Sequence, residues 1–223
     1  MSSDALDGFE RWVAATRELI SEPMKVRALQ DRRLMFAAAL GHALTAPHGG
    51  DGAAVEGPAL YGVVCQGPGL IYVGQTQTAQ RRLRDLPIGE SHHLANTVPP
   101  EVWDRIIVVQ WPSLCDVLPA ADRRHLRELG DQVVGEALEH LVQVSRAPLL
   151  NQRRRGRSGI WTDRDMTGSR GRGAVAAPGI TGLFDLVDEC WQRLNGIAVP
   201  QGLRVELGGR VVVPAALPGP DRR

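Results

Sequence analysis

The sequence has few of the residues and patterns that mark several common protein classes. Its three cysteines, Cys65, Cys115 and Cys190, are widely spaced and include no CxxC pair, which argues against a disulfide framework and against a zinc site. No apolar run approaches the ~18 residues of a transmembrane helix. The first residues include Asp4 and Asp7 and lack the apolar segment of a secretion signal. We therefore expect a cytoplasmic protein with no membrane segment.

Lysine is almost absent, and arginine supplies nearly all of the positive charge. The formal net charge is only +1, so the total charge does not by itself indicate a nucleic-acid partner. The arginines are concentrated, however: seven of them fall between residues 151 and 173, against two aspartates. We expect this segment to contact nucleic acid, through the residues Arg153, Arg154, Arg155, Arg157 and Trp161. A solvated surface loop is the alternative.

Periodic patterns predict most of the secondary structure. The hydrophobic fraction of 43% allows one good core with a small appendage. Apolar residues at helical spacing predict helices over residues 4–20, 24–46 and 182–195, and a longer helical stretch runs from Pro119 to about Ser145. Residues 203–213 predict a β-hairpin with a two-residue turn.

The only two tyrosines of the chain lie in one predicted β-hairpin. Apolar runs at 60–65 and 70–73 flank a turn that contains two glycines and a proline, and a helix start follows near Thr78. The β-branched run at 105–111 predicts a third strand. Because that run is continuously apolar, we expect the strand to be central and covered on both faces.

The two tyrosines belong to triplets that have a familiar pattern. Ala59-Leu60-Tyr61 and Tyr72-Val73-Gly74 resemble the paired triplets of the GIY-YIG nuclease family, with Ala59 and Leu60 where glycine and isoleucine are usual. Arg82 falls ten residues after Tyr72, where that family carries an arginine on its first helix.

A later segment resembles the end of the same family's core. Glu139 lies in the predicted helix, Pro148 follows it, and Asn151 comes next. The resemblance therefore covers four separated signals, in the family's order and spacing, over about residues 57–151.

The resemblance implies a fold and a chemistry. The fold is α/β (α+β), with a small three-stranded antiparallel sheet flanked by helices. The activity is hydrolysis of DNA phosphodiester bonds with Mg²⁺ or Mn²⁺ as cofactor. Tyr61 is expected to be the general base or to hold the attacking water, Tyr72 to orient the phosphate, and Arg82 to bind it. Glu139 is the expected metal ligand, and Asn151 is expected to tie the helix end to the sheet.

Some positions leave alternatives open. Many family members carry a polar residue one turn after the arginine, where this chain has Leu86. His92 or His93 is a candidate to replace it as base, proton relay or phosphate donor, and the alternative is a pair of loop histidines in contact with solvent. Glu136, one turn before the expected ligand, is a rival for the metal. Arg81 and Arg84 flank Arg82 and are further candidates for contact with nucleic acid.

These observations divide the chain into four parts. We expect a helical arm at 1–56, a GIY-YIG-like catalytic core at 57–152, an arginine- and glycine-rich mobile loop at 153–182, and a C-terminal helix with a β-hairpin at 183–223. The arm either covers one face of the sheet or serves dimerisation or DNA contact.

The expected function is that of a restriction-type endonuclease specific for a sequence or a modified base. A repair or structure-specific nuclease acting on damaged or branched DNA is an alternative, and so is a nucleic-acid-binding module that has lost turnover. RNA stays open as a substrate. Recognition of a symmetric site would call for a homodimer.

Overall fold

The computed structural model describes residues 3–47, 54–89, 94–155, 159–198, 204–206 and 208–217. For Ser3, Arg155 and residues 204–206 it describes the backbone only. The helices are α1 (Ser3–Leu19), α2 (Pro23–Thr45), α3 (Ala79–Asp85), α4 (Leu94–Thr97), α5 (Ala120–Leu129), α6 (Asp131–Arg146), α7 (Arg172–Ala176) and α8 (Thr181–Gly196). The strands are β1 (Ala59–Cys65), β2 (Gly69–Thr76), β3 (Arg105–Val109), β4 (Arg153–Arg155), β5 (Trp161–Asp163), β6 (Arg204–Glu206) and β7 (Gly209–Val212). The fold is therefore α+β, as the sequence predicts.

The main sheet has five antiparallel strands in the order β2-β1-β3-β7-β6. The predicted hairpin of β1 and β2 forms, and β3 is the middle strand, as expected. The expectation of a three-stranded sheet is wrong. The predicted C-terminal hairpin forms as β6 and β7, but it does not stand apart, because β7 pairs with the outer edge of β3. That pairing satisfies backbone groups that an edge strand would leave exposed.

Helices cover both faces of this sheet. On one face, apolar side chains of α6 and α8 pack against β1, β2, β3 and β7. On the other face, residues of α2, α3 and α4 pack on the same strands. β2 lies at one edge of the sheet, so residues of β2 can meet elements from both layers.

The second half of α2 is the part of the N-terminal arm that covers the sheet. Leu40 and Leu44 are fully buried there. Arg210 of β7 is itself buried and donates hydrogen bonds to the carbonyl oxygens of Ala43 and Ala46, at 3.2 and 2.8 Å. These carbonyls lie at the C-terminal end of α2, where a cation is favourable. The expectation that the arm covers a sheet face is thus confirmed for this half.

Two other predictions from the sequence are corrected. The single helix expected from Pro119 to Ser145 is broken at Gly130, whose φ of 77° ends α5 and starts α6. The stretch 156–182 is not a loop throughout, because it contains β5 and α7. Gly173 of α7 lies so close to the Glu136 carbonyl of α6 that a side chain would collide with it. Glycine, which usually weakens a helix, here permits close packing.

In the part of the chain that the structure describes, no helix is both long enough and apolar enough to span a membrane.

Candidate active site

The two tyrosines lie side by side on one face of the β1–β2 hairpin. Both are buried, and their ring centroids are 6.1 Å apart with an interplanar angle of 40°. Tyr61 pairs across the sheet with Gly74, the last residue of the second triplet. A Cβ atom at Gly74 would lie 2.8 Å from the Tyr61 hydroxyl oxygen and 2.9 Å from Cε1 of Tyr72. The glycine therefore makes the space that both rings occupy.

Arg82 reaches the tyrosine pair from α3. Its Nε donates a hydrogen bond to the Tyr61 hydroxyl at 3.0 Å, and its guanidinium is also hydrogen-bonded to Tyr72. The helix is held in place because Leu83 is fully buried under α2 and the Ala79 amide donates to the Gly57 carbonyl at 3.0 Å. The side chain of Arg82 thus stays half-buried, between the phenols and solvent.

Burial decides the protonation of both phenols. Desolvation raises the pKa of Tyr61 above its ordinary value, although the charge and hydrogen bond of Arg82 act to lower it. The pKa of Tyr72 is raised by burial and by the charges of Tyr61 and Glu139. For Tyr61 the effect of burial on the pKa outweighs that of Arg82. Both hydroxyls are therefore protonated at neutral pH in this state.

Glu139 approaches from the opposite layer, on α6. Gln143, one turn later, donates through Nε2 to Glu139 Oε1 at 2.8 Å and to the Val73 carbonyl at 3.5 Å. Asn151 is hydrogen-bonded to the same residue of β2. Its Nδ2 donates to the Val73 carbonyl at 2.9 Å, and its Oδ1 accepts from the Val73 amide at 2.8 Å. The segment that follows α6 is thus tied to the edge strand, next to Tyr72.

The Glu139 side chain is half-buried, and its negative charge is only partly compensated. Burial raises its pKa to about 7, while Arg164, the Gln143 hydrogen bond and, more weakly, Arg82 act to lower it. Its negative charge also acts to raise the pKa of Tyr61 and of Tyr72. The structure therefore brings the two tyrosines, Arg82 and Glu139 into one electrostatically connected site.

A hard divalent cation fits this carboxylate. Such an ion can be held by one carboxylate, with water and substrate oxygens as its other ligands, and its charge would relieve the unfavourable burial of Glu139. Among the residues described, no group of three or more His, Cys, Asp or Glu side chains is placed to hold a metal ion. A cation at this position would therefore need water or other oxygen ligands besides Glu139.

Glu136, the rival ligand, already has a partner. Its Oε1 accepts a hydrogen bond from Arg172 at 2.8 Å, in an ion pair, and another from Gln132 at 3.2 Å. No such ion pair is recorded for the Glu139 carboxyl in the described structure. Glu139 is therefore the better candidate for a metal ligand.

Glu139 lines one of two adjoining clefts, and these clefts involve residues that the sequence did not single out. A cleft of about 160 Å³ is lined by Glu136, Glu139, His140, Gln143, Arg164, Ser169 and Arg172, among others. A larger one, about 470 Å³, shares Arg164 and Ser169 with it and adds Arg154, Asp165 and Arg170. Burial and the charge of Arg164 lower the pKa of His140, so it is neutral at pH 7.

Arg164 is the most informative of the missed residues. Its backbone amide donates to the Gln152 carbonyl at 2.7 Å and its guanidinium donates to the Asn151 carbonyl at 3.3 Å. The chain doubles back through β4 and β5, which places this arginine beside Glu139. Its membership of the arginine-rich segment was visible in the sequence, but the turn that brings it back was not.

The predicted nucleic-acid contacts are distributed unevenly. Arg154 lines the larger cleft, whereas Arg153 forms an ion pair with Asp163 at 3.4 Å. Trp161 is about half exposed, at 54%. Of Arg155 only the backbone is described, and Arg157 lies outside the described residues.

The α3 arginines differ from one another in their surroundings. Arg81 is exposed near Asp85, at 3.9 Å, while Arg84 donates to the Thr45 hydroxyl of α2 at 3.2 Å. Leu86, at the position where a polar helper is usual, is fully buried in the core. His92 and His93, the proposed replacements, lie outside the described residues.

Comparison with protein-family models, with curated proteins and with solved structures gives no match in any of the three. The resemblance to GIY-YIG nucleases therefore stays a prediction from the sequence motifs.

Proposed function

We propose that this chain is a metal-dependent endonuclease that hydrolyses DNA phosphodiester bonds. The observation that carries the proposal is that the Tyr61–Arg82 hydrogen bond and a half-buried carboxyl of raised pKa, Glu139, occur together at the edge of one sheet. Carboxyls and tyrosines with strongly shifted pKa values are concentrated at functional sites.

Phosphodiester hydrolysis needs a positioned water, charge stabilisation at the phosphate and support for the leaving oxygen. The planar guanidinium of Arg82 is pre-positioned by Tyr61 and Tyr72, so it can bind phosphate oxygens without reorganising. With a raised pKa, the Tyr61 hydroxyl is suited first to hold the attacking water as a hydrogen-bonding partner. Tyr72, beside it, would orient the same phosphate.

Glu139 would hold Mg²⁺ or Mn²⁺, with Gln143 fixing the orientation of its carboxylate. When bound, such an ion supplies Lewis-acid polarisation of a phosphate oxygen and makes a bound water more acidic. Near pH 7 a carboxyl with this pKa binds a cation in competition with a proton. Arg164 stands next to it and balances its charge when no cation is present.

The arginine-lined cleft supports a polymeric substrate. Arg154, Arg164 and Arg170 line the space next to the Glu139 cleft, so phosphates that flank the cleaved bond would meet positive charge. Trp161, on the neighbouring strand β5, offers an exposed ring for stacking on a base. A single strand end or a flipped base would suit that ring best.

A restriction-type role is the first choice within this class, because elements added to the core can supply specificity. The sheet is extended by β6 and β7, and the arm adds two helices. A repair or branch-cutting nuclease would use the same site on a different DNA shape.

One observation favours a binding module that has lost turnover. Leu86 is fully buried where related sites carry a polar group, so this turn of α3 offers no second proton carrier. The complete set of Tyr61, Tyr72, Arg82 and Glu139 supports catalysis instead.

A digestion panel tests the proposal. The purified chain would be incubated with unmodified plasmid, base-modified genomic DNA, branched DNA and RNA, each with Mg²⁺, with Mn²⁺ and with chelator. Discrete fragments that require the metal support an endonuclease, and the substrate that is cut identifies its type. Salt-sensitive band shifts without cleavage of any substrate would contradict hydrolysis and favour the binding module.

A further inference from the structure

In the part of the chain that the structure describes, the helix α1 is poorly packed. From Asp4 to Leu19 no described side chain is buried, and most are exposed. A helix of this length is marginal in water on its own, because helices in proteins are stabilised mainly by the packing of an apolar face. The described structure thus leaves the apolar face of α1 largely uncovered.

The apolar surface of this region is large. Half of the eighteen large hydrophobic side chains that are exposed in the described structure lie within its first 35 residues: Leu6, Phe9, Trp12, Leu19, Ile20, Met24, Val26, Leu34 and Met35. Nine exposed apolar side chains on two neighbouring helices are more than the scattered single ones usual on a monomer, and such a concentration is typical of an interaction surface.

The two helices of the arm also enclose a groove. It has a volume of about 760 Å³ between α1 and the first half of α2, and its apolar part includes Leu19, Leu29 and Phe36. Its charged lining consists of Lys25, Arg32 and Arg33 with Glu18 and Glu101, and Arg33 forms an ion pair with Glu101 at 3.4 Å. A groove with an apolar floor and a small excess of basic residues is suited to an amphipathic helix with acidic residues beside its apolar stripe.

The chain itself carries such a helix. In α1, Phe9 and Trp12 are exposed and their rings are 5.5 Å apart, so they form one apolar knob. Four acidic residues accompany the knob, against two arginines, whereas α2 up to Arg33 has four basic residues against one aspartate. The acidic helix and the basic groove are complementary surfaces of the same molecule.

We propose that the chain forms a two-fold dimer in which α1 of each subunit lies in the α1–α2 groove of the other. A two-fold axis makes this contact twice, since each subunit offers both the acidic helix and the basic groove. An arrangement of this kind covers the exposed faces of both helices. It does not depend on the proposed nuclease activity.

The first test is the mass of the full chain in solution. Light scattering after size exclusion, over a wide range of protein concentration, should give twice the chain mass of 24.2 kDa. The double variant Phe9→Glu, Trp12→Glu should be a monomer, with a loss of helical circular dichroism that corresponds to α1. The control Val117→Glu, at a site 67% exposed and far along the chain, should stay a dimer.

A charge-reversal pair tests the two-fold arrangement itself. One variant carries Asp4→Arg, Asp7→Arg and Glu10→Arg, so that both of its helices are basic. The other carries Arg27→Glu, Arg32→Glu and Arg33→Glu, so that both are acidic. Each alone should be a monomer, and an equimolar mixture should give a heterodimer, which shows that neither variant is simply misfolded.

Three outcomes would overturn the proposal. The first is a wild-type chain that is monomeric at every concentration, which is expected if a different protein covers the groove. The second is a dimer that persists in the double variant Phe9→Glu, Trp12→Glu. The third is a failure of the two charge-reversed variants to pair when they are mixed.

Discussion

The two sides of the candidate site are built in opposite ways. On one side, Tyr61 and Tyr72 are buried in the main sheet, and Arg82 is hydrogen-bonded to both. On the other side, Arg154 and Trp161 stand on the two short strands of a separate ribbon, and the Trp161 ring is half exposed. The first side is pre-organised by the core, and the second has the exposed charge that a ligand can use. The difference suits a division of labour between chemistry and binding.

Glu139 stands between the two sides and shares properties of both. It is held on a long helix that packs on β2, yet its nearest compensating charge, Arg164, comes from the segment just after β5. Its raised pKa means that the ionised carboxylate lowers the stability of the folded state. That cost is the expected mark of a site kept for function.

Among changes on the side of the site that carries Tyr61, Tyr72 and Arg82, the removal of Arg82 should have the largest effect on cleavage. Arg82→Ala leaves the phosphate without its fixed positive charge, and we expect cleavage to fall by about a hundredfold or more. Single-turnover cleavage rates measure this, with circular dichroism to verify folding. Arg81→Lys, which preserves the charge of an exposed neighbour, is the matched control. A rate for Arg82→Ala within a few-fold of wild type would contradict the role of Arg82.

The fit of the tyrosine pair is tested by Gly74→Ala. The new methyl group would overlap the Tyr61 hydroxyl and the Tyr72 ring, so we expect a loss of about 2–3 kcal/mol in the free energy of unfolding. Urea denaturation measures it. Gly57→Ala, at a site with open space around a Cβ, should cost much less. Equal losses in the two variants would show that the tight fit is unimportant.

The half-buried carboxyl predicts a pH-dependent stability. Because folding raises the pKa of Glu139 from 4.5 to about 7, the folded state is most stable below pH 4.5 with respect to this group, and it loses stability as the pH rises to about 7. Glu139→Gln removes this loss. We expect the variant to be more stable than wild type by about 1–2 kcal/mol at pH 8 without metal, with no difference near pH 4.5.

Adding Mg²⁺ should reverse that order, because an ion that binds only the folded wild type stabilises it. Thermal unfolding with and without Mg²⁺ measures both effects. A wild-type chain that is as stable as Glu139→Gln at pH 8, or that gains nothing from Mg²⁺, would contradict the account of this carboxyl.

Substitutions of the arginines that line the larger cleft should have the smallest effect on cleavage. We expect Arg154→Ala combined with Arg170→Ala to weaken DNA binding about three- to tenfold and to reduce the salt dependence of binding, since two phosphate contacts are lost. The cleavage rate of fully bound DNA should change little. Arg127→Ala, on the exposed face of α5, is the control. A lost cleavage step with unchanged binding would place these arginines in the chemistry.

The side of the site that carries the two tyrosines could be predicted from the sequence, because the residues that form it are close together in the chain. Tyr61, Tyr72 and Arg82 sit at fixed offsets within one hairpin and the helix that follows, and strand and helix periods set which way they face. The contact of Asn151 with β2 spans 78 residues, yet the resemblance to a known family motif indicated it.

The other parts of the fold and of the site depend on contacts between distant segments, which no local sequence pattern encodes. The pairing of β7 with β3 joins residues about a hundred positions apart, and the approach of Arg164 to Glu139 requires the β4–β5 turn. Gly130 and Gly173 were also misjudged, because a glycine marks a helix break in one case and a close packing contact in the other. Only the tertiary surroundings distinguish the two.

The most direct test of the site is cleavage of one susceptible DNA, with Mg²⁺, by the wild type, Glu139→Gln and Glu136→Gln. The two variants remove the same charge one helical turn apart, and only Glu136 is already paired, with Arg172. We predict that Glu136→Gln cuts at a rate close to that of wild type and that folded Glu139→Gln does not cut. Cleavage by Glu139→Gln at the wild-type rate would contradict the proposed metal site and with it the mechanism.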